Sequence, residues 1–176
     1  FLFSILLLLY RTYNKDNSKY ALVGFVMVSI ASLLALLTNN PNTYFLPDLL
    51  TNVLLSLALG ISLIVGKPLA AYASHITRAW PIEWYWRDDI KPAYKEVSLL
   101  WFIFFLLKSF LQIYLIFISN ENSSVINLLI GLPATIIVMS ISYIYGLFRL
   151  KQLKGPSVNE YKLNKPKPYK GQTKGF

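Results

Sequence analysis

The sequence predicts an all-α polytopic membrane protein, a transmembrane helix bundle. Three observations predict it. Only 14% of the 176 residues are charged and 55% are hydrophobic, where a soluble domain carries about 25% charged residues. Several apolar runs reach the roughly 20 residues that a helix needs to cross a bilayer. Among the connectors, only alternate ones carry lysine or arginine, which is the pattern of a threaded chain.

The first apolar segment is Phe1–Tyr10, "FLFSILLLLY". It is too short to span and reads as the back half of a helix that begins upstream. The second runs 20–37, the third 45–65, the fourth 97–118 and the fifth 125–148, giving five spanning segments, the first truncated. They are apolar on most sides, as lipid requires, and not along one stripe. Residues 1–148 thus form the bundle and 149–176 a basic tail. The first connector carries Arg11, Lys15 and Lys19. The third carries Lys67, Arg78, Arg87, Lys91 and Lys95, and the tail carries eight more basic residues from Arg149 to Lys174. The second and fourth carry none, so the basic connectors and the C-terminal side should be cytoplasmic, in a multi-pass plasma-membrane protein. Asn122-Ser123-Ser124 is a glycosylation triplet on the opposite side.

The third connector is the most unusual stretch. Leu69, Tyr72, Ala73, Ile76 and Trp80 recur at helical spacing, which predicts an interfacial amphipathic helix over 68–80. Pro81 should end it. Trp84, Tyr85 and Trp86 then continue a headgroup-level aromatic belt, with Trp80, Arg78 and Arg87 as lipid or partner contacts. Asp88 or Asp89 should cap the next helix, with Pro92 in its first turn. Glu83, Asp88 and Asp89 suggest a Mg²⁺ site as the alternative. However, adjacent aspartates diverge by about 100° on a helix, so the expectation is no metal and no cofactor. There is no cysteine, so thiolate sites are excluded. His75, the one histidine, reads as a headgroup or partner contact.

Lys108 sits in the middle of "LWFIFFLLKSFLQIYLIF". A central lysine costs about 2.5–3.5 kcal/mol to insert, so it needs a partner. Gln112 lies one turn on. Depth arithmetic puts Lys108 about 17 Å from the cytoplasmic end, between Asn52 at about 20 Å and Ser56 at about 14 Å. Lys108, Gln112, Asn52 and Ser56 therefore form a candidate intramembrane polar cluster, with Asp48 further out. It is either an interhelical clamp or the lining of a polar route. Ala31-xxx-Ala35 and Ser56-xxx-Gly60 are spacings that let helices pack closely. Pro133 should kink or start the last helix, with Thr135 satisfying freed backbone groups. The tail reads as extended and weakly ordered unless a partner holds it. Its lysines suit an anionic lipid surface, while Tyr161 and Tyr169 alone make no stacking platform for nucleic acid.

"FLPDLLTNVLLSLALGISLIVGKPLAAY", "WRDDIKPAYKEVSLLWFIFFLLKSFLQ" and "LLIGLPATIIV" together cover most of 45–150. In their order they resemble a bacterial family of polytopic membrane proteins of unknown function, related in layout to the intracellular septation protein A family. The Lys108/Gln112 pair and Lys67-Pro68-Leu69 carry part of the likeness. The resemblance implies the fold and no reaction. Three functions follow from the residues. One is a non-catalytic accessory or scaffold subunit of a larger membrane assembly, whose partners are anionic lipid and other membrane subunits. Another is a small transporter or channel routed past Lys108. The last is a membrane enzyme using Asp88 and Asp89.

Overall fold

Long apolar runs in a medium without water must satisfy their own backbone groups, and helices do so within one segment. In the computed structural model, which describes residues 5, 10, 19–118, 123–173, 175 and 176, the regular elements are accordingly helical, with no strand among the described residues. In chain order they are α1 (Lys19–Thr38), a 3-10 turn (Pro41–Phe45), α2 (Leu46–Ile64), α3 (Leu69–Arg78), α4 (Ile82–Tyr85), α5 (Lys91–Ile118), α6 (Ser123–Ile130), α7 (Leu132–Leu153) and α8 (Val158–Lys162). The segment Phe1–Tyr10 falls outside the described residues except for Ile5 and Tyr10. So do Arg11, Lys15, Asn122 and Lys174.

Four stretches are long and apolar enough to cross a membrane: Ala21–Thr38, Asn42–Ile64, Lys91–Phe117 and Ser123–Leu153. Their side chains face outward to a degree that water would not tolerate. Leu36 is 79% exposed and Phe117 83%, which suits hydrocarbon as the surrounding solvent. The apolar run from Val97 belongs to a helix that starts at Lys91, with Pro92 in its first turn as expected, whereas the last segment is divided at Gly131. Pro133 sits in the first turn of α7, and Thr135 Oγ1 donates to Gly131 O at 2.8 Å. The 22 residues of α7 alone reach about 33 Å.

The chain divides into two compact units. The first comprises 1–51 and 109–129. Here Asn40 caps the 3-10 turn, accepting from Asn42 N at 2.9 Å. The buried Asn42 ties segments together, donating to Leu115 O at 3.3 Å and accepting from Ser124 Oγ at 3.2 Å.

The second unit comprises 52–108 and 130–176. Its core is the cluster Ala71, Trp84, Tyr85, Ile90, Ala93, Tyr94, Leu150 and Val158. This cluster joins the connector after α2 to the segment after α7. The tail is therefore not extended, as its composition suggested, but folded onto the connector. The reason lies in its sequence. Ser157 and Glu160 form a reciprocal capping box that starts α8. Gly155 permits a close approach, since a Cβ there would lie 2.6 Å from Asp89 O. Phe176 stacks on Tyr94 with ring centroids 4.4 Å apart.

Candidate functional site

The intramembrane polar residues resolve into two rungs. In the second unit Lys108 is buried, with Nζ donating to Asn52 Oδ1 at 3.4 Å. Ser56, one turn along α2, is buried and donates to Val53 O at 2.9 Å. In the first unit Gln112 is fully buried and donates from Nε2 to Asp48 Oδ2 at 2.7 Å. Sequence reasoning offered Gln112 as a partner for Lys108. Its amide meets the acid in the first turn of α2, where a carboxylate is also favoured by the helix dipole. Of the packing residues, Ala31 is buried and Ala35 half-buried in the first unit. Gly60, in the second, faces the Phe102 ring, which stands 3.1 Å from where a Cβ would be.

The connector is built by its turns. α3 covers 69–78, shorter than the expected 68–80, because Ala79 turns left-handed (φ 53°) and its N–H caps His75 O. This frees Trp80 from the helix, and its carbonyl accepts from His75 Nδ1. Ile76, 79% exposed, faces out, while Ala71 and Ser74 are the buried face. Trp84 corrects the aromatic-belt expectation. It is completely buried, and its Nε1 donates to Pro156 O at 2.9 Å. Tyr85 is likewise buried, with its hydroxyl 3.0 Å from Ser74 Oγ, and burial pushes that hydroxyl's pKa up. These rings found protein partners, so headgroups cannot reach them. Trp86 is half-buried against Tyr72, and Trp80 is half-buried under the Arg78 guanidinium, 5.0 Å from the ring.

The arginines are engaged as well. Arg78 Nε donates to Phe176 O at 2.8 Å. Arg87 forms a two-pronged pair with Asp89, both contacts at 2.9 Å, and lies over Tyr161 and Tyr169. Asp89 is thus held in the turn before α5 and does not cap that helix. Arg149 meets Glu96 at 2.8 Å, with the Tyr145 hydroxyl donating to the same carboxylate. Among the described residues no three His, Cys, Asp or Glu side chains gather as a metal site.

The sequence reading missed Glu160. Its carboxylate accepts from Lys170 N at 2.8 Å, from Ser157 N at 2.9 Å and Oγ at 2.8 Å, and from Gly171 N at 3.3 Å. These donors, Lys170 N first, lower its pKa from 4.5 to about 2. The motif Ser157-xx-Glu160 was the available signal. A depressed carboxylate stabilises the fold above its ordinary pKa, and that stabilisation disappears as pH falls from about 4.5 toward 2. Hydrogen exchange at the Lys170 and Gly171 amides should therefore accelerate, beyond the intrinsic trend, across that window. Glu160→Gln should abolish the pH response by loosening both amides at neutral pH.

An apolar cavity of about 480 Å³ is lined by Leu55, Leu59, Val97, Trp101, Phe105 and Phe176, among others. A second of similar size, about 480 Å³, lies against α8 and is polar and basic.

No curated protein and no solved structure matches the chain. The model of one family, described as Protein of unknown function (DUF3159), matches residues 1–151. That match takes in all four membrane-length helical stretches except the last two residues of the fourth, and this all-α membrane protein belongs to the DUF3159 family.

Proposed function

We propose that this protein is a non-catalytic accessory or scaffold subunit of a larger membrane assembly. In this reading it sits in the plasma membrane, with its basic connectors and tail cytoplasmic. The observation that carries the proposal is the cap in which connector and tail share one core, through Trp84 to Pro156 and Arg78 to Phe176. Those contacts need connector and tail on one side of the bilayer, in keeping with the positive-inside pattern. The acids near the cap support it too: Arg87 holds Asp89 and Arg149 holds Glu96, so both are spent on structure. A rigid, charged cap on a membrane anchor suits presentation to another subunit better than turnover.

Purification of the full chain from its native membrane in mild detergent, with mass measured after a salt wash, tests this reading. A partner at fixed stoichiometry is expected. A chain recovered alone even after cross-linking overturns the proposal. The buried Lys108 favours one rival, a polar route through the membrane. Solute flux from reconstituted vesicles that Lys108→Leu abolishes would put that rival in its place.

A further inference from the structure

The basic concavity against α8 is made, apart from Trp80, by tail residues beyond those that the family model matches. Three lysines, Lys162, Lys165 and Lys170, line it together with Trp80, Asn159 and Thr173. All three lysines are exposed, and none has an ion-pair partner among the described residues. The one carboxylate in the lining, Glu160, is already saturated by four donors and turned to scaffolding. It is Glu160 that brings the lysines together. Lys162 is the last residue of α8 and Lys165 follows shortly, whereas Lys170 comes from the returning segment, pinned by its own N–H to Glu160.

We propose that this concavity binds a phosphomonoester. Like charges gathered around one hollow repel unless an anion neutralises them, and a doubly charged phosphate offers acceptors to several ammonium groups at once. Neutral Asn159 and Thr173 add donors for the remaining oxygens. The half-buried Trp80 in the lining lies two residues past α3, whose Ile76 faces outward. A phosphate on a lipid headgroup and a soluble organic phosphate share this chemistry. The site does not depend on the accessory role.

The test uses the purified full chain and two probes. One is phosphatidic acid in phosphatidylcholine nanodiscs, and the other is glycerol 3-phosphate added to the chain in detergent. Saturable binding of at least one probe is expected. Binding only in nanodiscs identifies a lipid headgroup, and binding of glycerol 3-phosphate in detergent identifies a soluble ligand. The combined substitution Lys162→Ala, Lys165→Ala and Lys170→Ala should weaken binding about tenfold or more. Replacing Lys95, Lys151 and Lys167, equally exposed but outside the hollow, should leave it within about twofold under the same principle. Glu160→Gln separates geometry from bulk charge. It makes the tail more positive yet should weaken binding, because Lys170 is no longer held. Failure of both probes, equal losses from the two lysine sets, or tighter binding by Glu160→Gln overturns the site.

Discussion

Trp84→Ala is expected to unfold the cap at much lower temperature, at a cost of about 3–5 kcal/mol. The indole is entirely enclosed, meeting Tyr85 at 5.0 Å, Trp80 at 5.5 Å and Tyr94 at 6.2 Å between ring centroids. Truncation empties that space and also orphans Pro156 O, which has Nε1 as its donor. Trp84→Phe divides the two contributions. It keeps most of the apolar contact and loses the donor, so its penalty should be nearer the 1–3 kcal/mol, roughly, of an unsatisfied buried carbonyl. Near-ultraviolet circular dichroism of the detergent-solubilised chain during heating reads both. A belt tryptophan exposed to headgroups would instead show a small change for either variant, and that result would refute the buried role.

Gly155→Ala should also damage the cap, to a smaller extent, although it adds a single methyl group. The new carbon would stand 2.6 Å from Asp89 O and 2.7 Å from Ile90 Cδ1. A side-chain end can swing away, but a backbone carbonyl in the tight turn before α5 cannot move without dragging Arg87, Asp89 and the start of that helix. Overpacking of this kind costs about 1–3 kcal/mol. The forced shift also pulls Pro156 from Trp84. Limited proteolysis should therefore cut the tail of the variant far faster than that of the parent chain. An unchanged cleavage rate would mean that the approach at Gly155 is not held in solution. The gain in helix propensity that alanine usually brings has no purchase here, because residue 155 lies past the end of α7.

The spanning helices were legible because each is a local property: about twenty apolar residues need no knowledge of the rest of the chain. The neighbourhood of Lys108 was also within reach, since rise per residue converts sequence position into depth. That arithmetic brought out Asn52. It left Asp48 as a distant prospect, although that carboxylate accepts from Gln112, because a sequence holds no tilt. Trp84 was misread for a different reason. Alone, a tryptophan between two membrane segments looks interfacial, and only Pro156, 72 positions later, reveals it as core. The tail was misread on composition, where Pro, Gly and Lys suggest disorder. The Ser157-xx-Glu160 spacing outweighs that composition because the carboxylate organises four donors at once.

The Trp84–Pro156 hydrogen bond also sets an order of events during synthesis. Its acceptor does not exist until the ribosome has added 72 further residues, about 4–14 s at 5–20 residues per second. For that interval the nascent connector holds five large aromatic rings, Tyr72, Trp80, Trp84, Tyr85 and Trp86, without the tail that completes the core. The quality of the finished cap thus depends on what shelters those rings while α5, α6 and α7 are still being threaded into the bilayer.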